Sequence, residues 1–350
     1  MSEPFGVYVH VPFCAHRCDY CAFATWTDRH HLQERYMRAL VTDIERAALP
    51  AVTSVFVGGG TPTLVDPVLL ADVLRAIPTV ADAEVTVECN PDDVDGSMMA
   101  VYAAAGVNRV SLGVQSMVPR VLTSLGRTHV PANVHRAVAC VREAGMHAFN
   151  LDLIYGAAGE SLADWRATLE GAIALDPRHI SAYALTVEAG TALFDEPHRH
   201  PDDDDLADKY ELADELLTAA GLANYEVSNW AEPGYECAHN LLYWRQGDYL
   251  GFGSAAHSHS AGHRWWNLRT PERYLQAVEA AEPTEAAGET LDAETRRLEG
   301  LQLALRLRDG VPAAMLDLDG LEGLVEVDDD RARLTLHGRL LANEVSLRLR

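Results

Sequence analysis

Cysteine is scarce in this chain, at six residues in 350. That density excludes the disulfide framework of a small secreted scaffold. Long apolar runs are missing as well: no stretch reaches the 18 or so residues that a membrane span requires. No charged-then-apolar signal segment opens the sequence. A soluble, cytoplasmic protein with reduced thiols is the expectation. Positive charge is in short supply: 28 Lys and Arg face 52 Asp and Glu, a formal net charge of −24. Such a surface argues against non-specific nucleic-acid binding and against an anionic membrane surface, though not against a local basic pocket. Short-period repeats and long low-complexity segments are absent too.

Half of the scarce cysteine is concentrated in one place. "HVPFCAHRCDYCAF", residues 10–23, carries Cys14, Cys18 and Cys21 in a C-x3-C-x2-C spacing. A structural zinc ion asks for four ligands. His10 or His16 could be the fourth, but no second C-x2-C or H-x3-H arm completes a knuckle. A [4Fe–4S] cluster is the better reading: three cysteines leave one iron open to a ligand from outside the protein. An open corner suits chemistry better than electron storage.

Around this loop, short β-rich runs alternate with longer helical patterns. The runs are "VYVHV" (7–11), "SVFV" (54–57), "EVTVEC" (84–89), "RVSLGV" (109–114), "FNLDLIY" (149–155) and "ISAYAL" (180–185). Helical periodicity fills 31–48, 67–76, 97–105, 131–144, 161–175 and 204–220. "PDDDD" (201–205) opens the last of these and reads as acids at a helix N-terminus. Alternation of this kind predicts right-handed βαβ units and a parallel sheet. The fold class is α/β: a partial (β/α) barrel of about six units, short of a full barrel, over residues 1–225. An extension with "HNLLYW" and a His/Gly-rich segment follows over 226–284. Residues 285–350 read as a small winged-helix-like α+β domain, with a hairpin around Asp328–Asp330. Its acidity makes a lid or docking role a better expectation than DNA binding.

In α/β sheets binding groups collect at the carboxyl ends of the strands. The cysteine loop follows the first run and "GGGTPT" (58–63) the second. Glu88 ends the third, Gln115 follows the fourth, and Asp152 lies in the fifth. Each alone has a bland explanation, a turn or a helix cap; their joint placement on one rim is the functional signal.

With these motifs in order, the chain resembles the radical S-adenosylmethionine (SAM) superfamily. Over nearly its whole length it is similar to the group holding oxygen-independent coproporphyrinogen III oxidase and the HemW haem chaperone. The matching stretches are "YVHVPFCAHRCDYCAF", "VFVGGGTPT", "VECNP", "RVSLGVQS", "LGRTH", "NLDLIYG", "HNLLYW" and "GFGSAAHS". The resemblance implies that Cys14, Cys18 and Cys21 hold a [4Fe–4S] cluster and that SAM takes the open iron. It also implies SAM contacts at Tyr8, Tyr20, Gly59, Gly60, Thr61, Glu88, Gln115, Arg127 and Asp152, with Thr186 and His257 as further matches. Glycine would permit close backbone approach, an acid suits ribose hydroxyls, and Arg127 suits a carboxylate.

Two functions remain open on this resemblance. One is a haem-binding chaperone that delivers haem to respiratory haem proteins. The alternative is an oxidase that decarboxylates coproporphyrinogen III propionates. The oxidase pattern has a further cysteine where this chain has Phe23, and a longer N-terminal segment than the seven residues before Tyr8. "HNLLYW" matches the H-N-x-x-Y-W signature of the chaperone group. The chaperone is therefore the favoured expectation, with a methyltransferase or haem-degrading enzyme ranked third. For the haem, His239 is the candidate axial ligand, beside Tyr243 and Trp244. The cluster His257, His259 and His263 and the thiol of Cys237 are further candidates. Cys89 and Cys140 read as small core residues. Oligomeric state has no signature here, and a homodimer linked through the cluster stays open.

Overall fold

The computed structural model describes residues 4–350. Six strands form its centre: β1 (Phe5–Val11), β2 (Val52–Gly59), β3 (Thr79–Cys89), β4 (Arg109–Gln115), β5 (Ala148–Tyr155) and β6 (His179–Ala184). They lie side by side in chain order, every pair parallel. Helices connect them, as the alternation of patterns predicts, so a (β/α) unit repeats along the sheet. The sheet does not close on itself. At one edge, β7 (Ala223–Glu226) and β8 (Asn229–Ala231) add antiparallel to β6. At the other, β9 (Asp248–Phe252) adds parallel to β1, and β10 (His257–Ser260), β11 (His263–Asn267) and β12 (Glu285–Thr290) continue antiparallel. Twelve strands thus form one open sheet, a partial barrel with an extension.

"ANYEVSNWA", read as one strand, is a tight pair of short strands. The sheet also runs past the division expected at residue 284, because β12 pairs with Trp265 and Trp266 of β11. The small C-terminal unit begins with the helix Ala293–Ala304. It continues through β13 (Val311–Pro312), β14 (Val325–Asp328) and β15 (Arg331–Leu334), a three-stranded antiparallel sheet. This unit has a core of its own around Leu305, Val311, Leu316 and Val345. No described helix is long and apolar enough to cross a membrane.

The two faces of the central sheet follow from the period of two in a strand. Val7, Val9 and Val11 alternate with Gly6, Tyr8 and His10. Val55 and Val57 alternate with Ser54, Phe56 and Gly58, and Leu151 and Leu153 with Asn150 and Asp152. The valine and leucine set is fully buried in the main core. It packs against helices such as Gln33–Ala47, whose Tyr36, Leu40 and Ile44 stripe is buried at a spacing of four. The other set turns inward and carries most of the polar groups, beside two glycines and Phe56. "PDDDD" behaves as the charge pattern predicts: the Asp202 carboxylate accepts the Asp204 and Asp205 N–H groups at the start of the helix Asp203–Ala219. Lys209, the only lysine in the sequence, lies buried in that helix, bonded to Asp205 at 2.6 Å and the Glu160 carbonyl at 2.9 Å.

Candidate functional site

The cysteine loop is pinned at both ends to the mouth of β1. The Cys14 N–H donates to the Trp26 carbonyl and the Trp26 N–H to the Pro12 carbonyl. His10 spans the gap: its Nε2 donates to the Ala24 carbonyl at 2.9 Å. That leaves Nδ1 as the acceptor for the Tyr8 hydroxyl, also at 2.9 Å. Both nitrogens of His10 are therefore occupied, which removes it as the fourth ligand of a zinc ion.

Cys14, Cys18 and Cys21 are free thiols on this one loop. Burial raises the Cys14 thiol pKa against the Thr61 hydroxyl, and Cys21 and Cys18 push it further up. Burial also raises Cys21, with Cys18 adding to it. Cys14 and Cys21 thus resist ionising alone, and a cationic iron core would supply the charge that draws their protons off. Donors already face the sulfurs. Thr61 Oγ1 lies 3.7 Å from Cys14 Sγ, and an Arg127 guanidinium nitrogen 3.7 Å from Cys18 Sγ. Hydrogen bonds to sulfur are a known lever on cluster potential. The donor set fits the cluster that the spacing predicts.

The glycine strip after β2 lies against β1 and its loop. The Gly60 N–H donates to the Val11 carbonyl and the Thr61 N–H to the Phe13 carbonyl, both at 2.8 Å. A Cβ on Gly59, at φ +107°, would meet the His10 ring at 2.4 Å, and one on Gly60 the Phe13 carbonyl at 2.6 Å. The chain's own packing thus demands glycine here, before any ligand is considered. Glu88 accepts the Gly59 N–H at 3.1 Å. Burial, then the charge of Asp152, raises the Glu88 carboxyl to about 7 against that N–H. Asp152 is fixed by Ser111 Oγ at 2.7 Å and Asn150 Nδ2 at 2.8 Å. Burial raises its pKa against these same donors.

Gln115 ends β4 with φ +62°, a left-handed conformation that a non-glycine residue adopts at a cost. A Cβ on Gly113 would meet Gln115 at 3.1 Å and Arg127 at 3.4 Å, so those two side chains lie beside each other. Arg127 also donates to the Gly113 carbonyl at 3.0 Å. Burial, then the Cys18 charge, raises the Tyr20 phenol, while Arg127 opposes this. Gly59, Glu88 and Gln115 stand at the carboxyl ends of β2, β3 and β4, while Tyr8 and Asp152 lie within β1 and β5. They do not share one chamber. Tyr8, Gly59 and Glu88 line a cavity of about 680 Å³. Asp152, with Tyr8 and Glu88 again, lines a smaller one of about 150 Å³ inside the barrel.

The larger cavity lies between the cysteine loop, the β9–β11 segment and the helix Ala293–Ala304. Its size is ordinary for a small-molecule site. Phe23 stands on its wall, 64% exposed. Gln246, Arg264, Arg269, Leu291 and Leu303 also line it. None of these five was legible as a site residue, because their chain separation hides what the fold brings together.

His239 does not face this cavity. It is 1% exposed, on the helix Ala238–Trp244, and lines the smaller cavity inside the barrel. Its Nδ1 bonds Ser54 Oγ at 2.9 Å and its Nε2 the Tyr243 hydroxyl at 2.8 Å. The ring stacks on Phe56, and burial lowers its pKa to about 3. As a haem ligand it would have to break one of those bonds, an arrangement that the expectation from "HNLLYW" did not foresee. Cys237 is equally engaged. Its Sγ lies 3.4 Å from a Glu84 oxygen, and burial, with that charge, pushes its pKa to about 12, which keeps it a neutral thiol. His263 bonds Thr290 and stacks on Trp265. His257 and His259 both line the cavity.

A model described as the radical SAM superfamily matches residues 8–172. The heme chaperone HemW of Mycobacterium tuberculosis is 44% identical over 98% of this chain and 94% of its own length. The heme chaperone HemW of Escherichia coli is 36% identical over 98% of this chain and 97% of its own. Among solved structures, coproporphyrinogen III oxidase (HemN) of Escherichia coli superposes with a TM-score of 0.86 at 23% identity, covering 99% of this chain and 89% of that one. That last likeness speaks to the fold.

Proposed function

The chain belongs to the radical SAM superfamily and, within it, to the HemW family, and from that premise we propose that it binds haem and hands it to respiratory haem proteins in the cytoplasm. The observation that carries the reading is the cavity beside the cysteine loop. It is lined by an exposed phenyl ring, Phe23, where the oxidase pattern has a thiol, and by the imidazoles of His10, His257 and His259. Aromatic walls and an imidazole are what a haem asks of its seat.

Cys14, Cys18 and Cys21 would hold the [4Fe–4S] cluster. Gly59, Gly60, Thr61, Glu88, Gln115, Arg127 and Asp152, with Tyr8 and Tyr20, would hold SAM. When bound, this pair supplies one-electron chemistry at the sulfonium. The chain's own part is positional. His10 ties β1 to the loop. Arg127 places a fixed cation beside Cys18. Glu88, raised to about 7 by burial first and by Asp152 second, exchanges a proton near neutrality and so accepts or donates to a hydroxyl at little cost. Ser111 and Asn150 hold Asp152 in one orientation.

The test is haem titration of the anaerobically reconstituted protein, followed by incubation with coproporphyrinogen III. A stoichiometric Soret band without vinyl products supports the carrier. Vinyl products would transfer the chain to the oxidase reading, and methylated or ring-opened haem to the third.

A further inference from the structure

We propose that haem iron is taken at Nε2 of His259, with the tetrapyrrole in the 680 Å³ cavity and a propionate on Arg269. The inference rests on the haem-carrier reading and names its seat. His259 is 8% exposed, on β10. Its Nδ1 lies 3.0 Å from the Gly247 carbonyl. A carbonyl only accepts, so Nδ1 carries the proton and Nε2 holds the lone pair. A ligating histidine is set in this way: the far nitrogen donates to a backbone carbonyl, and the near one is left bare for the metal. Here the near one is bare. His259 Nε2 is buried with no hydrogen-bond partner. A buried nitrogen left unpaired is costly and calls for an explanation. An iron atom in the adjoining cavity is such an explanation. Nε2 is sealed from solvent, so haem must displace the wall in front of it on entry.

The rest of the cavity suits the same guest. Phe23 supplies an exposed apolar face. Arg264 is neutralised by Glu289 and Glu299. Arg269, exposed on the wall, forms no ion pair among the described residues. An unpaired guanidinium in a chain of net charge −24 is a natural partner for a carboxylate.

His239 then acts at one remove. Ring contacts run from Phe56 to His239 (5.5 Å between centroids), to Tyr243 (4.8 Å), to Tyr249 (4.5 Å) and to His259 (6.3 Å). "HNLLYW" is thus the buttress of the wall that carries His259, and His239 is a positioning residue.

The experiment uses the full chain with its cluster reconstituted, titrated with ferric haem and, separately, with metal-free protoporphyrin IX. His259→Ala is expected to lower haem affinity by about tenfold or more and to shift the Soret band, with protoporphyrin affinity within about threefold of wild type. His259→Cys restores haem binding with a thiolate-type spectrum. Arg269→Glu weakens both ligands by about fivefold. His239→Ala weakens both while the histidine-type spectrum persists. Unchanged iron and sulfide content reports that each variant is folded. Wild-type spectrum and affinity in His259→Ala overturn the proposal, as does a ligand change on His239→Ala or His257→Ala. Failure of the wild type to bind haem would instead overturn the carrier reading, and this seat with it.

Discussion

Two walls face each other across the large cavity, and they hold their polar side chains in different ways. The barrel wall, β1 to β6, is parallel and continuous. Its inward residues interlock where they line the smaller cavity: Asn150 Nδ2 lies within 3.0 Å of Ser111 Oγ, Asp152 Oδ1 and Ser181 Oγ. The opposite wall hangs on the edge of the sheet, where β10 meets β9 at the single pair His259–Tyr249. Its groups are only partly tied, with one nitrogen of His259 bonded and the other not. Local opening free energy falls where packing and ladder bonds are fewer. A rigid wall suits resident cofactors whose geometry must be fixed. A wall that yields suits cargo that must leave.

The comparison can be broken in four places. The largest effect is expected from Cys18→Ala. Cluster iron should drop from about four per chain to near none, while haem affinity stays within about threefold. If iron analysis and haem titration fall together, the two walls are one site. Next, Gly59→Ala puts a Cβ at 2.4 Å from the His10 ring with φ +107°. Denaturant unfolding should show a loss of roughly 2–4 kcal/mol; a neutral result would mean that the rigid wall is not rigid.

The third and fourth concern the buttress between the walls. The folded-state pKa of His239 lies below its ordinary value, at about 3, because of burial. Its contribution to stability is therefore complete above about pH 6.5 and is lost as pH falls toward 3. Unfolding measured at pH 7 and pH 5 should show wild type losing about 2 kcal/mol more than His239→Gln. Equal losses would place a solvated imidazole there. Tyr243→Phe deletes the hydroxyl at 2.8 Å from His239 Nε2. It should cost about 1 kcal/mol, and haem should bind less tightly by a small factor with its spectrum unchanged.

Much of the rigid wall was readable from the chain. Strand runs such as "VYVHV" announce their own period, and the cysteine, glycine and acid positions fall at consecutive strand ends, so local order translates into a shared rim. The same period carries a second signal. Ser54, Glu84, Ser111, Asn150 and Ser181 alternate with apolar residues, which marks them as a polar barrel interior. The yielding wall was harder. "HNLLYW" is a distinctive string, but a string shows no direction, and its histidine turns into the fold between Ser54 and Tyr243. His259, Arg269 and Leu303 meet only because an antiparallel extension folds back under a C-terminal helix, and no local pattern encodes that meeting.

The most direct measurement is anomalous diffraction at the iron edge from crystals of the reconstituted, haem-loaded protein. The expected map has two iron features, a compact cluster at Cys14, Cys18 and Cys21 and a single atom in the large cavity next to the His259 ring. Iron at the cysteines alone, or a second iron bonded to His239 with its Ser54 and Tyr243 bonds broken, would contradict the division of labour between the two walls.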